Sequence, residues 1–129
     1  MPKTLAESFS EELENWNESI QFYSIEIESL DSKLYEVIRR NSIPGIATKV
    51  NSYQVRLNNL SEKFDSILES IDDQEAEIKV DGHLVEDALL HYEVEKEQEE
   101  LRKKMKGLEK SFIDVKFDCH SFLTGSLKN

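Results

Sequence analysis

The stretch Leu13-Glu14-Asn15-Trp16-Asn17-Glu18-Ser19-Ile20-Gln21-Phe22-Tyr23-Ser24-Ile25-Glu26-Ile27-Glu28-Ser29-Leu30 decides the fold. Within it Leu13, Trp16, Ile20, Tyr23, Ile27 and Leu30 recur at alternating intervals of three and four. That rhythm keeps apolar side chains on one narrow stripe of an α-helix, whereas a half-buried strand would need strict alternation. Moving outward, the same stripe continues through Leu34 and Val37. It restarts as Ile46, Val50, Tyr53, Leu57, Leu60, Phe64, Ile67 and Ile71, and again as Val94, Leu101, Met105, Leu108, Phe112, Val115 and Phe122. The expected fold is all-α: an antiparallel up-down-up three-helix bundle with long heptad-patterned helices and a left-handed, coiled-coil-like core.

Local punctuation sets the expected boundaries. Thr4 followed by Glu7 forms a capping box, so helix 1 should cover about residues 5–40, ending on Arg39-Arg40 with Asn41 in the left-handed conformation. Ser42 is the expected cap of helix 2, about residues 43–78, with Pro44 in its first turn. Two long helices with so short a link must fold back on each other. Ile78-Lys79-Val80-Asp81-Gly82-His83-Leu84-Val85 alternates around Asp-Gly, a hairpin signal. Because an isolated ribbon is only marginally stable, a turn with a pair or two of extended residues is the preferred reading. Helix 3 is expected over about residues 85–123, with Gly125 as its stop. Gly107 falls inside that helix on its outer face, at a cost of about 1 kcal/mol relative to alanine, and the sequence supplies no reason for it.

A chain of 129 residues is expected to form a single domain, 1–129, that can bury a core of its own. Its formal charge of −11 should repel phosphates and anionic headgroups, so neither nucleic acid nor a membrane surface is an expected partner. No signal-peptide apolar region or membrane-spanning run is visible, so a cytoplasmic location is the default expectation. A lone Cys119 excludes an internal disulfide and paired-cysteine zinc sites.

The exceptions to the stripes are the candidate site. Extending the third stripe backward from Val94 passes through His91, Asp87 and Leu84, and its forward course crosses Gln98; the second stripe reaches Gln74. A turn near Asp81 would bring Gln74, Asp87 and His91 together, with the Trp16 indole nearby. The structural reading of Gln74, Asp87, His91 and Gln98 is a polar core layer that sets helix register, as a buried Asn does in coiled coils. The functional reading is a small site in which His91 and Asp87 hold a metal or move a proton. Against it, the chain lacks the Glu-x-x-His motifs of a di-iron bundle, and one His with one carboxylate is not a zinc site. Catalytic and cofactor motifs are missing too: no phosphate loop, nucleophile elbow or dinucleotide fingerprint appears, and no cofactor is expected.

Cys119 continues the apolar stripe and reads as a small buried hydrophobe. The run Glu93, Glu95, Glu97, Glu99, Glu100 followed by Arg102, Lys103, Lys104 and Lys106 reads as a solvated, charge-paired face whose leftover role would be docking a basic partner. Phe22 and Ile25 lie outside the stripe of helix 1 and make an apolar spot, the expected interaction surface for a protein partner or, in a homodimer, a second protomer. Ile38, Ile43, Ile113 and Phe117 are also off the stripes, and the simplest expectation for them is a widened core around the first turn.

The run Trp16 to Tyr23, the Leu34-Tyr35-Glu36-Val37 step, the middle of helix 2 and the ending Phe112, Phe117, Phe122-Leu123 resemble a family of small, uncharacterised, all-helical bacterial proteins. The resemblance implies a cytoplasmic helical bundle and brings no activity with it. The leading functional expectation is a non-enzymatic protein-protein interaction or scaffold protein acting through a helix face. The alternative is a small-molecule or metal-binding bundle using Gln74, Asp87 and His91; a third reading, from net charge alone, is an acidic binder of a basic partner.

Overall fold

A computed structural model describes residues 3–127. Helix α1 spans Leu5–Arg40, α2 spans Ile46–Glu77 and α3 spans Tyr92–Leu127. All three pack on one another as a three-helix bundle. Side-chain pairs give the directions. Tyr23 with Glu109 and Glu26 with Lys116 ascend together, so α1 and α3 are parallel. Gln74 with Gln98, Phe64 with Phe112 and Tyr53 with Phe122 run in opposite order, so α2 is antiparallel to α3.

The stripes form the core as their spacing requires. Leu13, Ile20, Leu34, Val50, Phe64, Ile71 and Leu101 are fully enclosed. Halfway along, each helix contributes one ring: Tyr23 lies 4.6 Å from Phe112 and 5.3 Å from Phe64 between centroids. Such a pack buries large apolar area and adds aromatic contact geometry. Trp16 is half-buried against the same core.

Boundaries agree where capping is local. Glu7 N–H donates to Thr4 Oγ1 at 3.1 Å, the hydroxyl half of the expected capping box, and α1 begins at Leu5. Its end differs in mechanism. Asn41 is extended (φ −128°) rather than left-handed, and its side-chain amide donates to the Val37 carbonyl at 3.0 Å, satisfying a terminal acceptor directly. Ser42 does not cap α2. Pro44 and Gly45 form the turn, Gly45 takes the left-handed φ of +85°, and α2 starts at Ile46 rather than near 43.

The second connection is a true miniature hairpin: β1 (Lys79–Val80) pairs antiparallel with β2 (His83–Leu84), with Val80 opposite His83. Asp81 and Gly82 both have positive φ, 52° and 81°, as a two-residue primed turn demands. Helix 3 does not start near 85. Glu86 and Leu90 are extended on either side of a single 3-10 turn at Asp87–Leu89, and α3 begins at Tyr92. Leu84 and Leu90 turn inward against the core, so this connector is anchored without being helical. At the far end α3 runs through Gly125 to Leu127, so that glycine is not a stop.

Candidate functional site

Two of the four stripe exceptions are core residues. Gln74 and Gln98 are buried, and their amides link the three helices. Gln74 Nε2 donates to the Val94 carbonyl at 2.8 Å and to Gln98 Oε1 at 3.0 Å. Gln98 Nε2 in turn donates to the Phe9 carbonyl of α1 at 3.3 Å and to Glu12 Oε1 at 2.9 Å. Arg102 grips Glu12 from both prongs, Nε to Oε2 at 2.7 Å and Nη2 to Oε1 at 2.8 Å. Burial pushes the Glu12 carboxyl up, but hydrogen bonds from Arg102 and Gln98 outweigh it and leave its pKa below the usual value. The chain of donors runs from the interior at Gln74 to the surface at Arg102.

Asp87 and His91 do not belong to this layer; both are exposed. The extrapolated stripe fails because residues 85–91 lack the helical period on which it depends. Asp87 instead reaches the start of α1, where its carboxylate accepts from Leu5 N–H at 2.9 and 3.1 Å and from Ala6 N–H at 3.3 Å. A carboxylate there satisfies amides with no helical partner and meets the positive end of the helix dipole. His91 lines a shallow groove of about 360 Å³ between α2 and α3, with Gln74 and the carboxylates Asp73, Glu77, Glu93 and Glu97. Among the described residues no set of three or more His, Cys, Asp or Glu side chains is placed to hold a metal ion. The glutamine pair links the three helices at one level, and Asp87 caps α1.

Comparison with other proteins adds no assignment. No family model matches this chain, and no similar curated protein or solved structure is found.

Two other chemically notable groups are structural. Cys119 is fully buried, and burial foremost pushes its thiol up to about 11, so it stays protonated as an apolar filler. Tyr23 donates its hydroxyl to Glu109, and burial together with that carboxylate pushes its pKa up to about 12.

The apolar residues outside the stripes remain uncovered. Phe22 and Ile25 are 57% and 66% exposed, and Ile113 and Phe117 are 62% and 71% exposed. Ile38 and Ile43 are exposed as well, so the expected core widening does not occur. Helical spacing puts four of these residues along one edge. Phe22 precedes Glu26 by one turn, Ile113 precedes Lys116 by three residues, and the Lys116 Nζ to Glu26 Oε2 ion pair, at 2.6 Å, joins α1 to α3 between them. Ile25 and Phe117 lie one step further round toward solvent on their helices. The sequence marks Phe22 and Ile25 as a surface; that Ile113 and Phe117 extend it depends on the parallel pairing of α1 with α3.

Proposed function

We propose that this protein is a non-enzymatic interaction or scaffold protein that engages another protein through the α1/α3 edge carrying Phe22, Ile25, Ile113 and Phe117. One observation carries the reading: four large apolar side chains, each more than half exposed, stand on two adjacent helices on either side of one ion pair. Single exposed apolar residues are common, whereas several gathered on two neighbouring helices beside a charge pair are typical of a binding surface. The shape suits a helix laid along the α1/α3 seam, from a partner or from a second protomer in a homodimer.

The exclusion of nucleic acid rests on the formal charge of −11, and a cytoplasmic site of action belongs to the same proposal; no helix among the described residues is long and apolar enough to cross a membrane. The small bacterial helical family belongs to the same reading through its sequence resemblance. The test is affinity capture with wild type, Phe22→Ser and Ile25→Ser, alongside light scattering at high micromolar concentration. Loss of one specific partner, or of a dimer, in both variants with unchanged helicity is the expected result. Capture and assembly state untouched by both substitutions would refute the assignment of this edge.

A further inference from the structure

Another groove lies away from the α1/α3 edge, on the side of α3 that meets α2, and holds about 520 Å³. Its floor is Ile67 and Leu108, both core residues; Lys63 of α2 and Lys103 and Lys104 of α3 stand around it, with Ser66 and Ser111 between, and no carboxylate lines it. In a chain of net charge −11, three cations around an apolar floor reverse the local sign. Two of the three stand without a carboxylate partner among the described residues. Among the described residues Lys63 and Lys104 make no ion pair, and Lys103 reaches Glu99 only at 3.8 Å between largely exposed side chains.

Gly107 lines the same groove. A Cβ placed there would meet nothing within 4 Å, so neither the packing of α3 nor its backbone conformation requires glycine. Yet glycine in a helix interior is unfavourable relative to alanine. What the missing side chain supplies is access, since another backbone can approach α3 closely at this point.

We propose that this groove docks an acidic helical segment of another protein, its carboxylates meeting Lys63, Lys103 and Lys104 and a small or apolar side chain seated over Gly107, Ile67 and Leu108. Charge complementarity and the apolar floor together select that occupant. A small anion would gain only weak, solvent-screened lysine contacts and would leave the floor unused. A nucleic acid carries phosphates well beyond the groove, where the acidic remainder of the protein repels them. An acidic segment can confine its carboxylates to the positions that meet the lysines, which a uniformly charged phosphate backbone cannot.

The site shares no residue with the α1/α3 edge, so it stands or falls separately from the proposed interaction there. The probe is a fluorescein-labelled helical peptide of Glu, Ala and Leu, about 18 residues long so that it can hold a helix, titrated with the full chain and followed by anisotropy. Wild type is expected to bind, and Lys63→Ser with Lys104→Ser to weaken binding about tenfold, as the loss of roughly 1.4 kcal/mol implies. Gly107→Leu is expected to weaken it comparably, although it alters no charge and favours the helix; Phe22→Ser should leave it unchanged. Failure of wild type to bind the peptide would overturn the proposal. So would binding indifferent to Gly107→Leu, displacement by tripolyphosphate at matched charge, or a wild-type dimer that the lysine substitutions dissociate, since these outcomes mean diffuse attraction, a small-anion site and a self-association surface respectively.

Discussion

Gln74 of α2 donates to Gln98 of α3 at 3.0 Å, and Gln98 passes the contact on to Phe9 and Glu12 of α1. One buried pair thereby ties three helices at a single level. Apolar heptads tolerate sliding by a turn, whereas paired amides do not, because sliding would leave buried donors unmatched at about 1 to 3 kcal/mol each.

Replacing both members should cost less than the sum of the two single replacements. Gln98→Leu is expected to destabilise by about 2 to 3 kcal/mol because the Gln74 amide loses a buried acceptor and Glu12 a donor. In Gln74→Leu/Gln98→Leu the loss should fall short of the summed single changes by about 1 to 2 kcal/mol. A double-mutant cycle by urea unfolding measures the coupling, and additivity within about 0.5 kcal/mol would contradict it.

Asp87 is the cap of a helix that begins 82 residues earlier in the chain. Asp87→Ala should lower stability by about 1 kcal/mol and speed hydrogen exchange at the amides of Leu5 and Ala6, while exchange in the middle of α2 follows only the global change. Equal protection of those first-turn amides in both proteins would deny the capping role.

The pair of Glu12 and Arg102 sets an acid limit. The folded pKa of Glu12 lies below its unfolded value, near 4.3 for an ordinary glutamate. Its contribution is therefore fully present above that unfolded value and is lost as pH falls through the folded one. Urea midpoints taken from pH 6 to pH 2 should drop less steeply in Glu12→Gln than in wild type below about pH 4. Parallel curves would be the contrary result.

Tyr23 sets the matching alkaline limit with the opposite sign. Because its folded pKa is raised to about 12, its stabilising share is complete below the unfolded value near 10 and disappears as pH rises through the folded one. Absorbance titration should show one tyrosine ionising late, and that late step should be missing in Tyr23→Phe.

Gly107→Ala should raise stability by about 1 kcal/mol, visible as a few degrees in Tm, since the new methyl group meets no neighbour within 4 Å. A fall in Tm would mean that the groove wall is more crowded than its geometry shows.

By itself the sequence determined the three amphipathic helices, nearly all of their core residues and the start of α1. Those properties depend on a period of about 3.6 residues and on caps that reach three or four positions, both written into adjacent residues. Tertiary structure decided which exceptions to the stripe meet. Gln74 and Gln98 join the core, while Asp87 and His91 leave it, because the connector over 85–91 breaks the helical period and a stripe cannot be extrapolated across a break. It also decided that Asp87 caps α1, that Ile113 and Phe117 share an edge with Phe22, and that Lys63 faces Lys103 and Lys104 across a groove. Each of these depends on how far one helix is shifted along another, and that shift is set by contacts 20 to 90 residues apart, such as Gln74 with Val94 and Glu12 with Arg102, which no local pattern contains.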